Sequence, residues 1–344
     1  MMRRYLYILV AILLISSCNH YDLCFHHPHT ARARINVDWS KFDKEVPTGM
    51  TVMVYPDTGG KPYTLLTNNI NYVLADLEAG TYNTLVYNQS ASEYASVLFT
   101  GMESYHTATI AAKEYKSRWY SSRSELEKIA MQPEWVGVDA KTGAVVTPEM
   151  VRITGEENFA SITQKGEAKT EFVIASHIAH NIIHTVNVKV HLNAVYNLRS
   201  ARASLTGMAA EYKFSIDETT EDKVTHLQES WALVRDKVDP TKGYITAKFK
   251  CLGLPINHTS QPDDNEFVLS LLLVDDTTVL DFPFKVGSKL QKVYNEKGEY
   301  VLELNLELWI EEPLPDVKPS DSGESGFNAT VDDWGEEEKV EIEI

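Results

Sequence analysis

Basic residues are scarce in this chain. Its 344 residues hold 32 Lys or Arg against 49 Asp or Glu, a formal net charge of −17. Nucleic-acid binding needs a basic face that displaces counterions, so that function class is excluded. Cysteine is nearly absent, with three in the whole chain, which excludes a dense disulfide scaffold. Catalytic signatures are missing too. There is no Gly-x-Ser-x-Gly, His-Glu-x-x-His, phosphate-loop or dinucleotide-binding pattern. Acidic doublets such as Asp263-Asp264, Asp275-Asp276 and Asp332-Asp333 sit at turns or in a tail. Neighbours on an extended chain point opposite ways, so such pairs seldom build an acid–base site. No catalytic residue and no cofactor are expected.

Long apolar runs are also missing. The longest, residues 5–15, covers 11 residues, short of the roughly 20 that span a membrane. It follows Arg3 and Arg4 and leads into Ile15-Ser16-Ser17-Cys18. A basic start, a short apolar stretch and small residues before a cut describe a secretory signal. The cysteine at the cut resembles the bacterial lipobox, which implies cleavage between Ser17 and Cys18 and acylation of Cys18. The other reading is an ordinary signal peptide with an incidental cysteine. Asn19 follows, rather than the Asp that often retains lipoproteins at the inner membrane, which favours the outer membrane.

What is present is mostly period-two alternation, the mark of strands with one buried face. Ala33, Ile35, Val37 and Trp39 alternate with polar residues, as do Val186, Val188, Val190 and Leu192. Leu302, Leu304, Leu306, Leu308 and Ile310 repeat the pattern. So do Leu280, Phe282, Phe284 and Val286, with Pro283 indicating an edge strand. Residues 267–274 are nearly all apolar and suit a strand covered on both faces. Turn residues at 57–60, 78–80 and 296–299 sit where hairpins need them. One helix is expected at 125–131, with Ser124 as cap and Glu127 completing a capping box. The pattern predicts a mainly β fold of two antiparallel β-sandwiches with one or two short helices. Hydrophobic residues make up 43% of the chain, enough for packed cores. The boundary is expected near 155–170, which reads as polar and turn-rich. The expected segments are a signal peptide at 1–17, a lipidated tether at 18–30 and sandwiches at 31–160 and 161–312. An acidic linker and terminal strand follow at 313–344, where ten acids and two lysines give a net −8.

Cys24, His26, His27 and His29 have metal-ligand chemistry, but four ligands within six residues, broken by Pro28, would strain one tetrahedral ion. No metal site is expected. Cys251 shares an apolar strand face with Ile245, Ala247 and Phe249, which reads as a buried free thiol. Pairing with Cys24 is the alternative. His177, His180 and His184 lie between strand-like flanks and read as structural or surface histidines. Among the aromatics, Trp39 and Trp309 read as structural, whereas Trp119, Tyr120 and Trp334 are freer to stack on sugars. At the C-terminus Val340, Ile342 and Ile344 alternate with glutamates, which marks a strand able to pair with its own sheet or with a partner's.

Several stretches resemble one family. They include Asp22-Leu23-Cys24-Phe25-His26-His27, Val37-Asp38-Trp39-Ser40-Lys41, Tyr55-Pro56-Asp57-Thr58-Gly59-Gly60 and Leu77-Glu78-Ala79-Gly80-Thr81-Tyr82. Ser204-Leu205-Thr206-Gly207-Met208-Ala209 and Gly326-Phe327-Asn328-Ala329-Thr330-Val331 complete the set. Together they are similar to the FimB-type fimbrial anchor and tip lipoproteins of Bacteroidales, accessory subunits of type V pili. The resemblance implies tandem transthyretin-like β-sandwiches and a non-catalytic surface lipoprotein that begins or ends a fimbria. Its expected partners are fimbrial subunits joined by strand addition, outer-membrane lipid through Cys18, and host or bacterial surface ligands. Only Cys18 carries over as a functional position. The competing expectation is an outer-membrane glycan-binding lipoprotein that uses exposed aromatics.

Overall fold

The protein is described by a computed structural model covering residues 29–42, 46–164 and 170–320. Cys18, Cys24, His26, His27, Trp334, Val340, Ile342 and Ile344 lie outside the described residues. Among those described, no helix is long and apolar enough to cross a membrane. Two compact units organise the chain. One comprises 29–35, 74–81, 145–164 and 170–174, and the other the remainder.

The first unit carries the helix Pro148–Gln164. Its start follows from local chemistry. The Thr147 hydroxyl accepts the Met150 N–H at 3.2 Å, and Pro148 occupies the first helical position, where a missing donor costs nothing. Arg152 bridges Glu149 and Glu156 along one face. The Arg32 N–H donates to Thr154 Oγ1 at 3.3 Å, and Arg34 pairs with Glu171 at 2.7 Å. The polar stretch expected as a boundary is therefore largely helical. Its charges are the outer face of a helix rather than a turn.

The second unit is built from sheets. Five strands run in the order Ala232–Arg235, Lys242–Cys251, His184–Asn193, Tyr300–Trp309, Gln291–Tyr294. Facing them is a second sheet ordered Val279–Lys285, Glu266–Leu273, Leu198–Ala209, Lys223–Gln228, Ile129–Ala130. One core lies between the two, with Val186, Val188, Val190, Leu304, Leu306 and Phe249 from the first sheet and Leu205, Phe267, Leu269 and Leu271 from the second. The expected alternation holds here: 184–193 and 300–309 bury every second residue once the chain enters the core. Pro283 sits on the outermost strand, where its absent N–H leaves no ladder bond unmade. Most pairs are antiparallel, but His184–Asn193 lies parallel to Tyr300–Trp309. The strand Glu266–Leu273 alternates buried and half-buried residues instead of being covered on both faces.

Elsewhere in this unit the strand Met50–Pro56 lies between Tyr63–Thr67 and Gly80–Asn88. It forms the expected hairpin across 57–60. A second core gathers Met53, Tyr55, Leu85 and Tyr87 with Val97, Ile110, Tyr212 and Phe214. Segments from either side of residue 160 share sheets: Thr109–Ala112 pairs with Glu211–Lys213, and Ile129–Ala130 with Thr225 and His226. The turn at 78–80 does not close a hairpin, because Tyr72–Leu77 and Gly80–Asn88 belong to different sheets.

The helix expected at 125–131 does not form. Glu127 is drawn into tertiary contacts instead, accepting from Tyr120 Oη and Thr225 Oγ1, both at 2.7 Å. Residues 129–130 then extend to pair with the Lys223–Gln228 strand. Long-range hydrogen bonds outweigh a capping preference worth about 1 kcal/mol.

Candidate interaction surface

The three clustered histidines part ways. His177, fully buried, places Nδ1 3.0 Å from Asp139 Oδ2 and Nε2 3.0 Å from Thr84 Oγ1. Asp139 also accepts the Ile178 N–H at 3.0 Å. Carboxylate, imidazole and hydroxyl thus stand in the sequence of a nucleophilic triad. The Thr84 hydroxyl, however, has no exposed surface, so no carbonyl can reach it in this conformation. The trio is a satisfied polar network inside the sheets. His180 Nε2 lies 3.1 Å from Asp217. Burial raises the Asp217 carboxyl, but hydrogen bonds from His180 and Tyr212 outweigh it and hold the group below its ordinary range. Burial pushes the His184 ring down to about 4. Among the described residues no cluster of His, Cys, Asp or Glu could hold a metal ion. Cys251 is a buried free thiol, as its strand position suggested, and burial raises it to about 12.

The exposed chemistry lies on the outer face of the five-stranded sheet that begins with Ala232–Arg235. Register aligns its outward side chains in rows across the strands. One row is Lys248, Asn187, Asn305; the next is Thr246, Lys189, Glu307; the third is Tyr244, His191, Trp309. In the third row the His191 ring stacks on Trp309 with centroids 5.0 Å apart and planes 5° apart. Tyr244 lies 5.7 Å from the other side of His191. His191 Nε2 meets Glu307 at 2.7 Å. That contact, helped by Lys189 at 3.2 Å, keeps the Glu307 carboxyl below its usual range. The Lys189 ammonium also sits 4.5 Å over the Tyr244 ring. Asn187 donates to Glu303 at 2.9 Å and to Asn305 at 3.2 Å.

Trp309 is 54% exposed, which corrects its assignment as a structural residue. The outermost strand is in register only with residues 300–305, so among the described residues no strand flanks Trp309 beyond His191. Trp39, by contrast, is buried as expected, its Nε1 donating to Ile70 O at 2.9 Å. Trp119 and Tyr120, expected to be freer, are tied to Glu229 and Glu127. Between the first two rows runs an open groove of about 760 Å³, closed at one end by Ser230 and Trp231. Its floor is backbone at Val188, Ala247 and Leu306, whose side chains point into the core. A smaller hollow of about 310 Å³ adjoins Trp309, Tyr244 and His191 on their other side.

Residues 17–229 match a family described as a domain of unknown function, DUF5119. This chain belongs to the DUF5119 family. Over 99% of its length the DUF5119 chain is 20% identical to a Bacteroides ovatus protein described as "Putative fimbrium anchoring subunit Fim4B", covering 98% of that protein. The resemblance to the FimB-type fimbrial family stands with this full-length match. Among solved structures, a Bacteroides ovatus protein described as a "putative adhesin" superposes with a TM-score of 0.56 at 14% identity, covering 87% of the DUF5119 chain and 99% of its own. That likeness supports the tandem-sandwich fold. The fimbrial anchor protein Mfa2 of Porphyromonas gingivalis gives a TM-score of 0.42 at 10% identity, covering 81% and 90%.

Proposed function

We propose that this chain is a lipid-anchored, non-catalytic accessory subunit of a surface fimbria, an anchor or a tip, that joins its neighbours by strand addition. The full-length match to a fimbrium anchoring subunit carries the reading. It fits a fold made of sandwiches whose sheets end in accessible edge strands, such as Ala232–Arg235 and Val279–Lys285. A sheet edge offers unpaired main-chain donors and acceptors to an extended segment from another chain. In this reading residues 1–17 are the signal peptide, 18–30 the tether, and 31–160 and 161–312 the two sandwiches. The segment 313–344 is an acidic linker ending in the donor strand Val340, Ile342 and Ile344. Acylated Cys18 holds the protein at the outer membrane.

The test is fractionation with pilus co-purification. The wild-type protein is expected in outer membranes, acyl-labelled, and recovered with pilin subunits. Cys18→Ala is expected to lose the label and to leave the membrane or remain unprocessed. Unchanged labelling of that variant would remove the anchor from the proposal. A wild-type protein recovered free of any pilin would remove the fimbrial role.

A further inference from the structure

The outer face with the stacked Trp309 is distinct from the sheet's edges, because it presents side chains rather than main-chain donors and acceptors. It carries organised chemistry. Trp309 is half exposed yet held in one plane by His191. The indole thus leaves about half of its surface in water with its plane fixed, a geometry on which another ring can stack. On the same face Glu307 is fixed by His191 and Lys189, and Asn187, four residues along the strand from His191, is fixed by Glu303 and Asn305. A carboxylate near an oriented aromatic ring, with planar amides further along the same face, matches a chain of pyranoses, which offer apolar C–H faces and equatorial hydroxyls. The groove, which Lys248 and Glu307 line and which stops one row short of Trp309, has roughly 760 Å³, within the 300–1,000 Å³ range of small-ligand clefts.

Charge narrows the class. The chain is strongly acidic overall, but Lys248 has no ion-pair partner among the described residues and lines the groove. Lys189, by contrast, is neutralised by Glu307. Lys248 lies four residues along the strands and two strands across from Trp309. At ~3.3 Å per residue and ~4.8 Å per strand that is about 16 Å, a reach for a short oligosaccharide and too long for one sugar.

We propose that this face binds an acidic oligosaccharide, one pyranose ring stacking on Trp309 and a sugar carboxylate meeting Lys248. The proposal is independent of the anchoring role. It is tested with the purified full chain on trigalacturonic acid and 3′-sialyllactose, with maltotriose and lactose as neutral counterparts, by titration calorimetry and on an array of uronic- and sialic-acid glycans. An acidic glycan is expected to bind more tightly than its neutral counterpart. Trp309→Ala should weaken it about tenfold, while Trp309→Phe retains most of the affinity. Lys248→Gln should weaken the acidic ligand about fivefold and leave the neutral one unchanged. Should Trp309→Ala fail to fold, the Phe and Leu variants at that position supply the comparison, with Leu losing binding. Absence of binding by every acidic glycan on the array overturns the proposal. So does unchanged affinity in the Trp309 variants. Self-association in sedimentation that Trp309→Ala abolishes, without glycan binding, would assign the face to a second copy of the chain instead.

Discussion

Thr84, His177 and Asp139 illustrate how far residue identity alone falls short of a role. Their geometry is that of a nucleophile, its base and the base's orienting acid, and only burial distinguishes it from a site. Thr84→Val keeps the shape but leaves His177 Nε2 without its partner. Stability is expected to fall by about 1–3 kcal/mol, read as a lower urea midpoint. A null effect would mean that the ring finds another partner. His226 supplies a pH dependence. Burial pushes its imidazole down to about 4, so the folded state holds it neutral while the unfolded chain protonates near its ordinary 6.5. The unfolded state therefore binds more protons between those values, and stability falls as pH drops from 6.5 towards 4. The slope from this group is up to about 1.4 kcal/mol per pH unit. Urea titrations at pH 7, 6 and 5 should reveal that loss, and His226→Gln should reduce it, leaving the share of His184, which burial also holds at about 4.

At the scale of elements, alternation in the sequence was a faithful guide where one strand face meets a core. The strands at 31–38, 184–193 and 300–309 follow it residue by residue. Helix placement was not legible at 125–131, because the contacts that hold Glu127 come from Thr225, about a hundred residues away. The helix that does form has its cap, its proline and its i, i+4 charges in the sequence at 147–156. A polar surface helix and a polar loop look alike there, because the hydrophobic stripe that separates them is weak. Gly207 explains one of the stretches that carried the family resemblance. It takes a φ of +77° where the Leu198–Ala209 strand shifts register between Leu205 and Met208. A Cβ at this position would lie 2.2 Å from the Asp264 carbonyl oxygen. Gly207→Ala is therefore expected to cost about 2 kcal/mol or more, measurable as a drop in Tm, whereas a well-tolerated alanine would mean the bulge can relax.

For the molecule as a whole, the relation between its C-terminal core and its tail decides how it would join a fimbria. That core already closes within the described residues: Leu314 is buried in it and Val317 packs against it. The strand proposed at 340–344 would therefore act at a sheet edge, its own or a partner's, and the role in trans is the one predicted from the proposed function. Deleting 328–344 is expected to leave Tm unchanged and to abolish recovery of the fimbrial partner in co-purification. A lower Tm with aggregation would instead assign the strand to the protein's own sheet. If neither quantity changed, the segment would be a solvated tail.

The mainly β class, the inward faces of the long strands, the edge position of Pro283 and the burial of Cys251 were all legible in the amino acids alone. All of these follow from period-two patterning or from a residue's own covalent limits, which act locally. Tertiary structure alone decided which strands are neighbours, including the parallel pairing of His184–Asn193 with Tyr300–Trp309. It decided that 78–80 is a crossing between sheets, and that Trp309 faces solvent while Trp39 does not. Both tryptophans continue an alternating pattern, but alternation marks only which residues share a face. Trp39 falls on the buried set of its strand, whereas Trp309 falls between Leu308 and Ile310, on the set that the register turns outward. The row of Tyr244, His191 and Trp309 comes from strands that lie far apart along the chain and adjacent in the sheet. Only folding could assemble that surface.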